Sequence, residues 1–165
     1  MLDPKLEAAL NHHLQSELAS AYLYLAMAAH FEAANLPGSA RWMRQQAQEE
    51  LAHAMKVFDY VADRDARVTL QAVAAPPATF ASTVAVWTQA LANEQKLTGV
   101  IDEVYGMAQK GGDHATAAML QWFVTEQVEE EKTVRTILEE VQKIGESSSA
   151  MYFLDRHLGK EAEKD

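Results

Sequence analysis

Four stretches of this chain repeat apolar residues at alternating steps of three and four, and each breaks the pattern near its middle with a polar side chain. The first runs Leu10, Leu14, Glu17, Ala21, Tyr24, Ala28, Phe31, and the second Met43, Gln46, Glu50, His53, Val57, Tyr60. The third runs Val84, Trp87, Leu91, Glu94, Thr98, Ile101, Tyr105, and the fourth Leu120, Phe123, Gln127, Glu130, Val134, Ile137, Val141. Residues spaced this way line one face of an α-helix, the stripe by which helices pack against one another. The pattern predicts four long helices with their seams turned inward, carrying four carboxylates inward with them.

Punctuation residues set the ends. Asp3, with Pro4 behind it, reads as a cap, and Asn35, Leu36, Pro37 and Gly38 break the first pattern. Ser82 and Asp113 read as caps of the third and fourth helices, while Gly111, Gly112 and Gly145 read as stops. Met151, Leu154 and Leu158 form one more stripe after the serines 147–149. The predicted helices are approximately residues 4–34, 39–65, 82–110, 113–144 and 148–158. Residues 66–80 carry two prolines and no helical signal. At roughly 3.3 Å per residue this segment reaches about 50 Å, against about 42 Å for a helix of about 28 residues. It can therefore travel the length of the bundle, giving two antiparallel pairs joined by one long crossover. Glu17, Glu50, Glu94 and Glu130 each fall near mid-helix, and mid-helix residues share a layer whichever way each helix points.

Composition narrows the possibilities. A chain of 165 residues, 48% hydrophobic and 23% charged, suits one all-α globular domain over residues 1–165. Its net charge of −10 argues against a nucleic-acid partner. With no cysteine there are no disulfides, thiolate zinc sites or cysteine-ligated clusters, which fits a reducing compartment. Apolar runs such as 21–29 fall short of the roughly 20 residues that span a bilayer, so no membrane association is expected. Residues 1–7 are polar with no signal-peptide core, and the expected location is the cytoplasm.

Buried carboxylates need a reason, since each costs on the order of several kcal/mol without a partner and four in one layer repel one another. Cations among them remove both costs. Carboxylate oxygens with one imidazole nitrogen suit iron, manganese or zinc better than calcium or copper. Glu50 and His53, three residues apart, lie side by side on one helix face and can share an ion. Four carboxylates balance two divalent ions, and ions roughly 3.5 to 4 Å apart can share a bridging carboxylate, here Glu50 or Glu130. Tyr24 follows Glu17 by seven residues on the same face. It can supply an electron or proton to such a centre, or simply pack with its hydroxyl satisfied.

Glu17 with Tyr24, the stretch Glu49-Glu50-Leu51-Ala52-His53, Glu94, and the stretch Glu126-Gln127-Val128-Glu129-Glu130 resemble the bacterial non-haem ferritins, over the chain from Met1 to about Leu158. The resemblance implies a ferritin-like four-helix bundle with one long crossover and a short fifth helix. It implies a two-iron ferroxidase centre that oxidises Fe(II) with dioxygen or hydrogen peroxide, one iron on Glu17, Glu50 and His53, the other on Glu50, Glu94 and Glu130. Gln127 would stand beside the oxygen-derived ligand. A third iron site on the cavity side would map to Glu49, Glu126, Glu129 and Glu130, with ferric mineral stored in a cage of 24 identical subunits. The related bacterioferritins carry a second Glu-x-x-His where this chain has Gln127 to Glu130, and a haem-ligating methionine where it has Leu51, so no haem is expected. Miniferritins place their ligands between subunits and lack a fifth helix, which favours the larger cage. His12, His13, His30, His114 and His157 read as surface or packing residues, and Trp122 more as packing than as part of the site. The alternatives are a two-metal oxidase of organic substrates, which needs an apolar pocket beside the ions, and a metal-binding bundle without oxidase activity.

Overall fold

In the computed structural model, which describes residues 2–145 and 147–163, the chain forms five helices and no strand among those residues. The polar start read from the sequence begins at residue 1, and the charged residues 160–165 run to 164 and 165, positions outside the described residues. The elements are α1 (Pro4–Ala33), α2 (Pro37–Asp63), α3 (Thr83–Lys110), α4 (His114–Ile144) and α5 (Ser148–Glu161). Helix α1 packs on α2 and on α3, α3 on α4, and α5 on α2. This is the all-α bundle with a short fifth helix that the periodicity predicts.

The caps act as read. Asp3 accepts from the Lys5 and Leu6 amides, Ser82 from Ala85, Asp113 from Thr116 and Ser147 from Ala150. Asn35 (φ 57°) takes the left-handed turn that ends α1 and returns the chain antiparallel. Helix α2 starts at Pro37, two residues before the expected Ser39, because Leu36 offers no side-chain cap and the cap comes from elsewhere. Asp155 of α5 accepts from the Gly38 amide at 3.0 Å and from the Ser39 amide and hydroxyl at 2.7 and 2.8 Å. Gly38 is obligatory at this contact: a Cβ there would stand 1.8 Å from the Asp155 carbonyl oxygen.

The crossover lies along α1. Buried Asn11 donates to the Arg67 carbonyl at 3.0 Å and accepts from the Thr69 amide at 2.7 Å, and Gln15 donates to the Ala72 carbonyl at 2.9 Å. At its start Arg64 grips both oxygens of Asp113 at 3.0 and 2.9 Å, tying the end of α2 to the start of α4.

The core is divided in two. One apolar cluster includes Tyr24, Phe31, Met43, Trp87, Val134 and Leu154, and the other Leu10, Leu14, Val57, Ile101, Leu120 and Phe123. Between them along every long helix come the buried polar residues Glu17, Ser20, Gln46, Glu50, His53, Glu94 and Gln127. The third seam is rotated from its expected line: Val84, Leu91, Thr98 and Tyr105 are half-buried, and the centre passes through Ala90, Glu94, Leu97, Ile101 and Val104. Ala90 is fully buried there but carries too weak an apolar signal to mark the face.

Candidate metal centre

Glu17 on α1 and Glu50 and His53 on α2 converge in the polar layer. One potential ligand atom from each lies within 4.8 Å of the others. The His53 Nδ1 stands 3.3 Å from Glu50 Oε2 and 3.8 Å from Glu17 Oε2. These three atoms, Glu17 Oε2, Glu50 Oε2 and His53 Nδ1, are buried and have no hydrogen-bond partner among the described residues. Buried polar atoms are nearly always paired, so three unpaired ones facing one another mark a place built for something else. The opposite oxygens are engaged. Glu17 Oε1 meets His13 Nε2 at 2.6 Å, and Glu50 Oε1 accepts from the Ser20 hydroxyl at 2.8 Å, itself held by Asn93 at 2.7 Å.

Glu94 enters the layer from α3. Its Oε1 accepts from the Tyr24 hydroxyl, and Gln127 of α4 donates to its Oε2 at 3.3 Å and its carbonyl at 3.1 Å. Gln127 is thus committed to Glu94. Glu130 is half-buried at the edge of the layer, close enough for its charge to act on His53 and Tyr24. Glu131 turns away, accepting from Thr98 at 2.7 Å and pairing with Arg135 at 3.0 Å.

Electrostatics follow from burial. Loss of hydration raises the Glu17 and Glu50 carboxyls to about 7, and burial followed by repulsion from Glu50 takes Glu94 to about 7 as well. Burial, then Glu94, Glu50 and Glu49, takes Glu130 to about 8. For His53 burial disfavours the imidazolium, but the adjacent Glu50 carboxylate, then Glu17 and Glu130, outweigh it and hold the ring at about 9. His13 goes the other way, burial being the main cause, and sits at about 3, so its ring is neutral. Burial, then Glu94 and Glu50, pushes Tyr24 well above the usual phenol range. Without a cation the layer therefore stores protons, and a divalent ion binding there must displace them.

Glu49, Glu126, Glu129 and Glu130 line one open pocket of about 760 Å³ between α2 and α4, with Gln45 and Gln46 beside them. Gln46 donates to Glu49 at 2.7 Å. The four residues expected of a third site therefore share one surface that borders the buried layer at Glu130. Trp122 covers His53 from the outside, ring centres 5.2 Å apart and nearly perpendicular, with the Lys56 ammonium 3.5 Å above its own ring. His12, His114 and His157 are exposed, and His30 packs against Phe31 and Phe80.

Two residues that touch the candidate ligands, His13 and Ser20, and Asn93 behind Ser20 were not read from the sequence as part of the site. The signal was present, since His13 lies one turn before Glu17 and Ser20 one turn after it on the same face. Histidine and serine at such positions are usually packing or solvent residues, and spacing alone does not separate the two.

Residues 7–144 match a family model described as a ferritin-like domain. A bacterial non-heme ferritin of Staphylococcus aureus (strain USA300) is 36% identical over 159 residues, 96% of each chain. One of Staphylococcus haemolyticus (strain JCSC1435) is 36% identical over 158 residues, 96% of this chain and 95% of its own. Among solved structures, an open pore ferritin from the hyperthermophilic archaeon Archaeoglobus fulgidus is similar with a TM-score of 0.95 and 44% identity, covering 96% of this chain and 98% of that one.

Proposed function

We propose that this chain, which belongs to the ferritin-like family, takes up Fe(II), oxidises it within the bundle and stores the Fe(III) as mineral inside a shell of identical subunits. The observation that carries this reading is the set of three unpartnered buried donors, Glu17 Oε2, Glu50 Oε2 and His53 Nδ1, within one ion's reach of each other. The first Fe(II) takes that set, and the second takes Glu94 and Glu130 with a share of Glu50. A bridging Glu50 would use Oε1, which also accepts from Ser20, and Glu94 would bind through oxygens that also accept from Tyr24 and Gln127.

Two Fe(II) together provide two electrons, enough to take dioxygen to hydrogen peroxide with two protons, or hydrogen peroxide to two waters. The carboxyls and His53 release protons as the ions bind, and the apolar clusters on either side of the layer keep bulk water out. Glu49, Glu126, Glu129 and Glu130 form an acidic surface on which iron leaves the centre and where a third ion binds. Haem has no part in this reading, since Leu51 replaces the ligating methionine of the haem-binding relatives. The protein works in the cytoplasm; no helix among the described residues is long and apolar enough to cross a membrane. The pocket next to Glu130 is lined mainly by carboxylates, amides and hydroxyls, the wrong lining for an apolar organic substrate.

Native mass by light scattering, followed by stepwise aerobic Fe(II) loading, tests the storage claim. The expected outcome is a particle of 24 subunits holding hundreds of irons per particle in soluble form. A monomer that saturates at a few ions per chain would contradict it.

A further inference from the structure

We propose that His13 is a positioning residue that fixes how Glu17 binds the cation, holding Oε1 so that Oε2 alone is presented. The inference rests on the reading of Glu17, Glu50 and His53 as a cation site. The imidazole and the carboxylate are 0% and 1% exposed, with Nε2 and Oε1 2.6 Å apart. Lying one turn apart on α1, they are held at this separation by the helix itself. Phe123 of α4 packs edge-on against the His13 ring, centres 4.7 Å apart at 75°, so the ring cannot swing away. The same Phe123 contacts His53 at 5.9 Å, which sets both imidazoles against one rigid wall.

His13 is not explained by packing. Its Nδ1 is buried without a hydrogen-bond partner among the described residues, a cost that a leucine or phenylalanine would avoid. Toward an ionised Glu17 the neutral imidazole acts through the tautomer with its N–H at Nε2, whose recipient is Glu17 Oε1. Ser20 acts on Glu50 in the same way, engaging Oε1 at 2.8 Å and leaving Oε2 free. The two free oxygens are the ones that face His53 Nδ1. Each carboxylate thus has one oxygen held by a donor on α1 and one left for the ion. With both oxygens free, Glu17 would chelate through both, crowding the position and changing the coordination number; held by one, it leaves room for a further ligand.

Anaerobic Co(II) titration followed by the visible d–d bands tests this on the full-length protein, with Zn(II)-soaked crystals of the unmodified chain as a second measurement. His13→Leu is expected to weaken binding of the first Co(II) by about tenfold or more, the usual effect of losing a partner behind a ligand, and to shift the bands as Glu17 changes mode. His13→Gln, which keeps an N–H within reach, is expected to restore most of the affinity and the original bands. In the zinc structure Glu17 Oε2 binds the ion while Oε1 stays on His13 Nε2. Unchanged affinity and bands in His13→Leu, a His13→Gln variant as weak as His13→Leu, or zinc bound through Glu17 Oε1 would each overturn the proposal. Should His13→Leu not fold, the zinc structure decides. Glu17→Ala separates the two levels. If it binds Co(II) like the unmodified protein, the cation site itself is wrong; if it binds poorly while His13→Leu does not, only the role of His13 falls.

Discussion

Tyr24 donates a hydrogen bond to Glu94 from a fully buried position, beside a ligand of the proposed centre and placed to pass it an electron or proton. Replacing it with phenylalanine removes that donor while leaving the ring contact with Trp42, centres 6.4 Å apart. Tyr24→Phe is expected to bind Fe(II) like the unmodified chain but to slow over repeated turnovers, read by stopped-flow absorbance with successive additions. Identical kinetics would reduce the residue to packing. The raised carboxyls give a second outcome. Glu17, Glu50 and Glu94 near 7, Glu130 near 8 and His53 near 9 all lie above their unfolded values. Between about pH 7 and 9 the metal-free native state therefore holds more protons than the unfolded chain, and its stability falls as pH rises. His13, at about 3 when folded, is neutral in both states across that window and adds no slope. The melting temperature of the apo protein is expected to drop from pH 7 to 9, and saturating Zn(II), which binds better as the protons leave, is expected to reverse the trend. A flat apo profile would mean that these groups are hydrated and paired.

At the scale of elements, the short α5 matters beyond its own stripe. Leu154 and Leu158 of the stripe pack into one cluster of the core, and Asp155 supplies the cap that α2 lacks. Asp155→Ala is expected to cost about 1 kcal/mol or somewhat more, the usual value of an N-cap, and to expose α5 to protease. Gly38→Ala is expected to do the same by forcing α5 away. Thermal melts and timed proteolysis check both, and an α5 as resistant as before would contradict the docking. This link joins residues more than a hundred positions apart, so no local pattern announces it; the sequence showed Pro37 and Gly38 only as a break and Ser39 only as a helix start. The long helices were legible because their caps and seams are local, and α3 was misaligned where alanines rather than large side chains face the core. For the ligand layer, depth along the helix was enough to bring Glu17, Glu50, His53 and Glu94 together, since antiparallel rods of similar length share a midpoint. The tightest group is smaller than the set of five expected ligands, because Glu94 is turned toward Tyr24 and Gln127 and Glu130 lies at the rim.

For the molecule as a whole, the crossover, the antiparallel pairs and the divided core serve one arrangement, in which two apolar clusters clamp a charged layer that neither could tolerate on its own. Asn11 and Gln15 pin the crossover to α1, and the Arg64 and Asp113 pair joins α2 to α4 where the crossover begins, which resists sliding of the rods out of register. The clusters hold the fold and the layer holds the chemistry, which is why one can be altered without the other. The central claim is that a pair of ions enters that layer and is oxidised there. Oxygen uptake after adding two Fe(II) per chain, compared between the unmodified protein and Glu50→Ala, tests it most directly. The account predicts uptake within seconds for the first, and only the slow background of protein-free buffer for a Glu50→Ala variant whose helical signal and melting are preserved, since removing a buried carboxyl relieves repulsion. Equal rapid uptake by both proteins, or none by either, would contradict it.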